Sequence, residues 1–153
     1  MTEFAPLEAA ITRLLDNVDD DGRTRLGRAI ATDLRRAQAA RIRANVTPDD
    51  APMIPRKPRA GPAPKTRGGK PTRMFQRAAA ARHLRAKATP AEVVVGYEGA
   101  AARILRVHQL GLRDAVSREP GAPEVTYPER RLIGLNAADR ARVLAKVVEA
   151  IDA

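Results

Sequence analysis

The chain has 153 residues, the length of one ordinary domain able to bury a core without metals or disulfides. It contains no cysteine, and its only histidines are His83 and His108, which excludes disulfide scaffolds and the usual structural zinc sites. A net charge of +10 looks like a nucleic-acid binder in total, but from Ala51 to Ala91 there are 11 basic residues and no acid, leaving 17 basic against 18 acidic elsewhere. One basic segment is therefore set into a balanced domain. Either it is a solvated loop kept soluble by its charge, or it meets an anionic partner on assembly. No apolar run approaches the roughly 20 residues of a membrane span, and Met1-Thr2-Glu3-Phe4 lacks the basic start of a secretory signal. A soluble protein made in the cytoplasm, with no membrane contact, is expected.

Leu7, Ile11, Leu14 and Val18 recur at helical spacing after Pro6 and predict a helix over about 6–17. The run Asp19-Asp20-Asp21-Gly22 breaks it and suits the start of a second, long helix over about 21–44 with the stripe Leu26, Ile30, Leu34, Ala37 and Ile42. Between Pro48 and Pro71, seven prolines and three glycines end all periodicity, which reads as an extended arm. Thr72 then caps a predicted short helix through Met74, Phe75, Ala78 and Ala79. Residues 83–88 alternate, Thr89-Pro90 turns, and 92–97 has the β-branched content of a buried strand, together an antiparallel hairpin.

A helix is expected over 99–109, with Ala101, Ile104, Leu105 and His108 on one face and Gly111 ending it in a left-handed turn. A loop over 112–123 holds the only serine, Ser117, and a short strand, 124–127, stops at Pro128. Asn136 caps a last helix over about 137–152, with Leu144, Val147, Val148 and Ile151 facing inward. The expected class is α+β: N-terminal helices, a small antiparallel sheet, a Pro-rich basic arm and a C-terminal helix. Residues 1–47 form the helical part of a single domain, 48–73 the arm, and 74–153 the α+β part of the same domain.

Catalytic readings lack reacting groups. Gly68-Gly69-Lys70-Pro71 resembles the end of a phosphate-binding loop, but Pro64 stands where the first glycine belongs and Pro71 where magnesium needs Ser or Thr. Ser117 has no elbow glycines, and no cysteine can act as nucleophile. His108 is expected to bond a turn rather than carry protons, and Asp19, Asp20 and Asp21 to cap a helix rather than bind metal. No catalytic residue, metal or cofactor is assigned. For nucleic acid, the basic segment supplies phosphate neutralisation, yet Phe4, Phe75, Tyr97 and Tyr127 are the only aromatic residues, too few for stacking recognition. Contact with duplex phosphates without sequence readout remains open.

Two stretches carry a family resemblance. Residues 101–114 read A-x-x-I-x-x-x-H-Q-x-G, with His108, Gln109 and Gly111, and residues 127–135 read Y-P-x-R-x-L-x-G, with Tyr127, Pro128, Arg130 and Gly134. With Pro52-Met53-Ile54-Pro55, Met74-Phe75, Arg82-His83-Leu84 and Gly96-Tyr97-Glu98-Gly99 in the same order, the chain resembles the virion morphogenesis, or tail-completion protein S, family of contractile-tailed phages and prophages. It departs from the pattern where the arm begins: Asp50 replaces the glycine of a Pro-Asp-Gly turn, and Met53 replaces an aromatic residue.

The resemblance implies a small α+β structural protein, without cofactor or catalysis, acting at the head-proximal end of the tail in tail completion and head–tail joining. It implies a location in the virion, at the tail top or neck, after assembly in the host cytoplasm. The partners expected are copies of itself in a ring, a hexamer by expectation, and tail-terminator, tail-tube or neck and head-completion proteins. Arg56, Lys57, Arg59, Lys65, Arg67, Lys70 and Arg73 are the candidate contacts to a partner or to duplex DNA. A small basic DNA-binding protein without sequence preference is the alternative.

Overall fold

The computed structural model describes residues 8–9, 11–12, 19–57 and 73–152. In chain order they form helix α1 (Asp20–Ala44), strands β1 (Leu84–Ala88) and β2 (Val93–Tyr97), helix α2 (Gly99–Leu110), strands β3 (Arg113–Ala115) and β4 (Glu124–Thr126), and helix α3 (Ala137–Asp152). This is the expected α+β class, but the strands make two separate two-stranded sheets, β1–β2 and β3–β4, instead of one. Of the helix expected over 6–17, Glu8, Ala9, Ile11 and Thr12 are helical, and the rest lies outside the described residues.

Helix α1 starts as its acids predict. The Gly22 N–H donates to Asp19 Oδ1 at 2.6 Å, satisfying a first-turn donor, while Asp20 and Asp21 sit at the positive end of the helix dipole. Leu26, Ile30, Leu34 and Ile42 are buried as their spacing requires. Ala37 is only half-buried. The stripe instead passes through Gln38, because steps of four residues from Leu34 lead to Gln38 and then Ile42.

Contacts divide the chain into two compact units. One comprises Met1–Arg36, Arg85–Val95 and Leu135–Ala153, and its core joins Leu26, Ile30 and Leu34 of α1 to Val147 of α3, with Val95, Val143 and Ala150 packed against them. Gly27 lets the hairpin come close: a Cβ there would lie 3.0 Å from Ala88 Cβ and 3.3 Å from Val93 Cγ2. The hairpin turn is held by Thr89, whose hydroxyl accepts from the Ala91 and Glu92 N–H groups. Strand β2 is not the buried strand expected, since Val93 and Val94 are exposed. Its valines favour extended backbone, but contact with α1 at Gly27 covers only part of Val93 and leaves Val94 46% exposed.

Asn136 caps α3 reciprocally with Asp139. The Asp139 N–H donates to Asn136 Oδ1 at 2.8 Å and the Asn136 N–H to Asp139 Oδ2 at 3.2 Å, with Asp139 fully buried. The inward face of α3 is narrower than expected. It follows Val143, Val147 and Ala150, while Leu144 is half-buried and Val148 and Ile151 stay 47% and 38% exposed.

The other unit comprises Ala37–Leu84 and Gly96–Gly134. Asn45 ends α1 in the left-handed region, at φ 55°, and a turn over 47–51 closes with a bridge between Val46 and Pro52. Residues 74–83 form successive turns, not the helix expected there, and the proposed Thr72 cap lies outside the described residues. The obstacle is local. Phe75 has φ 60°, and the backbone of Met74 is tied at both its N–H and its carbonyl to the Asn45 side chain, so a right-handed helix cannot propagate through it. Within the expected loop 112–123 the structure forms β3. It pairs antiparallel with β4, Asp114 opposite Val125, and Arg113 Nε lies 2.9 Å from Glu124 Oε2.

Asp50 adopts φ 60°, a left-handed backbone that favours glycine. Left-handed backbone costs a side-chain-bearing residue about 1–2 kcal/mol, whereas glycine adds back about 0.5–1 kcal/mol through its unfolded-state entropy. Asp50→Gly is therefore expected to stabilise the protein by about 0.5 kcal/mol. The check is a raised midpoint of urea unfolding with an unchanged slope; a lowered midpoint means that Asp50 holds the turn by some other contact.

Candidate functional site

The motif residues converge at the C-terminal end of α2. Leu105 and Val107 are the buried residues of this helix; Ile104, expected on the inner face, is 43% exposed. Gly111 has φ 63° and ψ 46°, the left-handed cap its position predicts, and the Leu112 N–H donates to the Val107 carbonyl at 2.9 Å. A Cβ on Gly111 would come 2.9 Å from the Glu129 nitrogen, so only glycine lets segment 127–130 lie this close. That segment is stitched on by backbone bonds, Tyr127 N–H to Leu112 O at 3.0 Å and Arg130 N–H to His108 O at 2.7 Å.

Gln109 extends the stitching with its side chain. Its Oε1 accepts from the Leu132 N–H at 2.7 Å and the Ile133 N–H at 3.1 Å, and its Nε2 donates to Ile133 O at 2.9 Å. One primary amide thus does for residues 132–133 what a neighbouring strand would do, and Leu132 is fully buried on top of it. The Gly134 carbonyl accepts from Arg41 at 3.0 Å, and a Cβ at Gly134 would lie 3.0 Å from Pro48 Cγ. Arg131 pairs with Asp49 in the turn, and Pro128 follows the end of β4 half-buried.

Arg130 is 4% exposed and has no carboxylate partner among the described residues. Its Nε donates to Ile54 O at 2.6 Å, one terminal nitrogen donates to Pro55 O at 3.0 Å, and the other lies 3.4 Å from His108 Nδ1. A guanidinium only donates, so Nδ1 is the acceptor and the imidazole proton sits on Nε2. The His108 ring stands edge-on between Phe75 and Tyr127, with centroids 5.0 and 4.9 Å away. Burial first, then the charges of Arg130 and Arg56, hold its pKa below the usual 6.5.

The network fixes the chain where the basic segment leaves the described residues and where it returns. Arg130 holds Ile54 and Pro55, while Asn45 holds Met74 through the N–H to Oδ1 and Nδ2 to carbonyl bonds, both 2.8 Å. Gln76 adds a bond to the Arg43 carbonyl at 3.1 Å, and Arg73 a longer one at 3.4 Å. Arg56, Lys57 and Arg73 are exposed. Arg59, Lys65, Arg67 and Lys70 lie outside the described residues. Sequence reasoning missed Asn45, whose signal is an asparagine directly after a helix that ends in Arg43-Ala44, a position that favours left-handed caps.

A shallow cleft of about 190 Å³ brings His108, Asp114, Ser117 and Tyr127 together. The three groups that a triad would use each have another hydrogen-bond partner. Ser117 Oγ accepts from the Glu119 N–H at 3.3 Å, Asp114 Oδ1 accepts from the Ala115 N–H at 3.0 Å, and His108 Nδ1 faces Arg130. No serine–histidine hydrogen bond exists among the described residues, so the cleft lacks the activated nucleophile of acyl transfer. Among the described residues no three His, Asp or Glu side chains gather to hold a metal, and no helix is long and apolar enough to cross a membrane.

The family model of the phage virion morphogenesis family matches residues 2–152. The chain belongs to this family. It is 32% identical over 140 residues to tail completion protein S of Escherichia phage P2, the alignment covering 91% of each chain. No solved structure matches. In this member of the virion morphogenesis family, the motif residues form one connected scaffold around the end of α2.

Two outcomes follow from the network. Arg130→Met keeps the stem but removes the donor to the Ile54 and Pro55 carbonyls, and is expected to cost on the order of 2 kcal/mol, read by urea denaturation; a cost under about 0.5 kcal/mol would mean that water replaces the guanidinium. For His108, the lowered folded-state pKa means that the unfolded chain takes up the proton first. Its contribution is complete above pH 6.5 and is lost as the pH falls through the lowered folded value. Thermal stability of the wild type should drop more than that of His108→Gln between pH 7 and 5; parallel pH profiles would contradict a buried neutral imidazole.

Proposed function

We propose that the chain is a structural tail-completion subunit of a phage or phage-like particle, acting without catalysis at the head-proximal end of the tail in tail completion and head–tail joining. The observation that carries this reading is the near full-length relationship to a protein named tail completion protein S. The site agrees with it: His108, Gln109 and Arg130 spend their hydrogen-bonding groups on backbone and on one another, as a scaffold requires. The proposed partners are further copies of the chain, arranged as a ring, and the tail-terminator, tube or neck proteins next to it. The protein then resides in the virion after assembly in the host cytoplasm.

The basic residues Arg56, Lys57, Arg59, Lys65, Arg67, Lys70 and Arg73 are proposed to face an anionic partner, either an acidic protein surface or the phosphates of passing DNA. Tight or base-specific contact would oppose DNA passage, and the few aromatic residues agree with loose contact. Binding of the isolated protein to duplex DNA should be roughly 10⁻⁴ to 10⁻⁶ M at physiological salt and steeply salt-dependent. The alternative, an independent DNA-binding protein, rests on the same acid-free segment.

One paired experiment separates them. Arg56, Lys57 and Arg59 are all changed to Gln, and the variant is assayed both for DNA binding across salt and for rescue of particles lacking the wild-type protein. Loss of completed particles with only weak, unselective DNA binding is expected. Normal rescue beside nanomolar, sequence-selective binding by the wild type would replace the structural reading with the alternative.

A further inference from the structure

The cleft that lacks an activated nucleophile has the chemistry of a different kind of site. It lies between the later turns of α2 and the β3–β4 ribbon, with its whole lining inside the unit that contains Gly96–Gly134. His108 is part of that lining, whereas Arg130, which faces its Nδ1, is not. Because Nδ1 accepts from the guanidinium, the ring proton is fixed on Nε2, and that N–H donates to no group among the described residues. A cation bonded to one side of the ring also polarises it, which strengthens the donor on the other side. The imidazole therefore offers a ligand a donor and keeps its acceptor for Arg130.

The charges around the cleft favour the same kind of ligand. Arg103 and Arg118 line it, and Arg118 has no ion partner among the described residues. Asp114 brings a carboxylate to the lining, but its Oδ1 already accepts from the Ala115 N–H at 3.0 Å and meets Arg103 at 3.4 Å. The neighbouring acids are directed elsewhere. Glu124 pairs with Arg113, which points to the face of the ribbon opposite Asp114 because successive strand residues alternate. Glu119 is exposed and outside the lining. Ser117 Oγ accepts from the Glu119 N–H, which leaves the hydroxyl proton to donate. One guanidinium is thus in surplus at the cleft, and behind the imidazole stands the buried charge of Arg130.

The rim is apolar. Ile104 on α2 and Val116 just past β3 are 43% and 51% exposed. A space of about 190 Å³ admits a single side chain. The phosphates of a duplex ride on a rigid rod that can only lie across the mouth, where Asp114 and the two aliphatic side chains oppose it. Acceptor-only charge at the centre and aliphatic contact at the edge describe an acidic side chain carried between aliphatic residues.

We infer that this cleft binds a partner protein through one carboxylate side chain, held by His108 Nε2–H and Arg118, with the flanking aliphatic residues against Ile104 and Val116. The site is separate from the basic segment, and it rests on the proposed structural role only in taking a protein as the partner.

The test titrates the full, isotope-labelled chain and reads the His108 and Arg118 side-chain signals by NMR. The probes are acetyl-Val-Glu-Val-amide, its Gln counterpart, sodium acetate and a short duplex DNA. The Glu peptide is expected to give saturable shifts at both side chains, with the Gln peptide at least about fivefold weaker. Arg118→Gln alters an exposed side chain and should keep the wild-type melting temperature. It is expected to weaken the Glu peptide about fivefold, whereas Arg113→Gln, which removes the same charge from the other face of the ribbon, changes it less than about twofold. No saturable shift at millimolar Glu peptide, equal affinity for the Glu and Gln peptides, equal losses in the two variants, or acetate that binds as well as the peptide would each overturn the inference. Duplex DNA that shifts these two side chains, and binds less well to Arg118→Gln than to Arg113→Gln, would assign the cleft to phosphates instead. Peptide binding by a chain with no role in particle completion would overturn the proposed function and leave this site standing.

Discussion

A single buried guanidinium organises the motif region. Arg130 reaches the carbonyls of Ile54 and Pro55 with two of its nitrogens and the acceptor nitrogen of His108 with the third. Such a group is tolerated in a protein interior only where its hydrogen-bonding needs are met. Backbone carbonyls meet them here without cancelling the charge. Their positions are therefore prescribed, and the chain around residues 54–55 cannot drift without stranding a cation. The same constraint dictates the imidazole: a protonated His108 would place a second positive charge against the first, so neutrality is enforced by its neighbours as well as by burial.

The rest of the motif supports this arrangement from behind. Gly111 allows segment 127–130 to lie against the end of α2, which brings Arg130 level with His108, and Gln109 fixes residues 132–133 just beyond. Tyr127 and Phe75 close the imidazole from two sides. Substituting Gly111 would push on backbone atoms of Glu129 rather than on a side chain that can move aside, so the penalty would pass directly to Arg130, the next residue.

The elements with strong local signals were legible in the sequence: the acid-capped start of α1, the Thr89 turn, the Gly111 stop and the Asn136 cap each depend on a residue and its near neighbours. What could not be read depends on partners distant in sequence. The helix expected after Thr72 is overridden by Asn45, some thirty residues earlier, which holds Met74 and leaves Phe75 left-handed. Strand β3 has the unpromising sequence Arg-Asp-Ala and exists because β4 lies beside it. The inward faces of α2 and α3 were drawn too wide, since periodicity identifies apolar residues but not how much of a helix its neighbours cover. For the motif, sequence gave the residues and their order. Their joint purpose, holding Ile54 and Pro55 through Arg130, requires the fold.

That purpose bears on the charge of the chain. The basic segment begins at Arg56, immediately after the carbonyl that Arg130 grips, and burial first, then the charge of nearby Arg56, lowers the pKa of the Arg130 guanidinium. A carboxylate at this point would have been the simpler partner for Arg130, yet it would have neutralised the root of the segment. Carbonyls hold the same group in place and leave its field intact. Cations gathered this way repel one another and disfavour the free state, and an anionic surface that approaches them relieves the repulsion. The scaffold thus does two things with one residue: it fixes where the basic segment departs, and it keeps that point of departure positive.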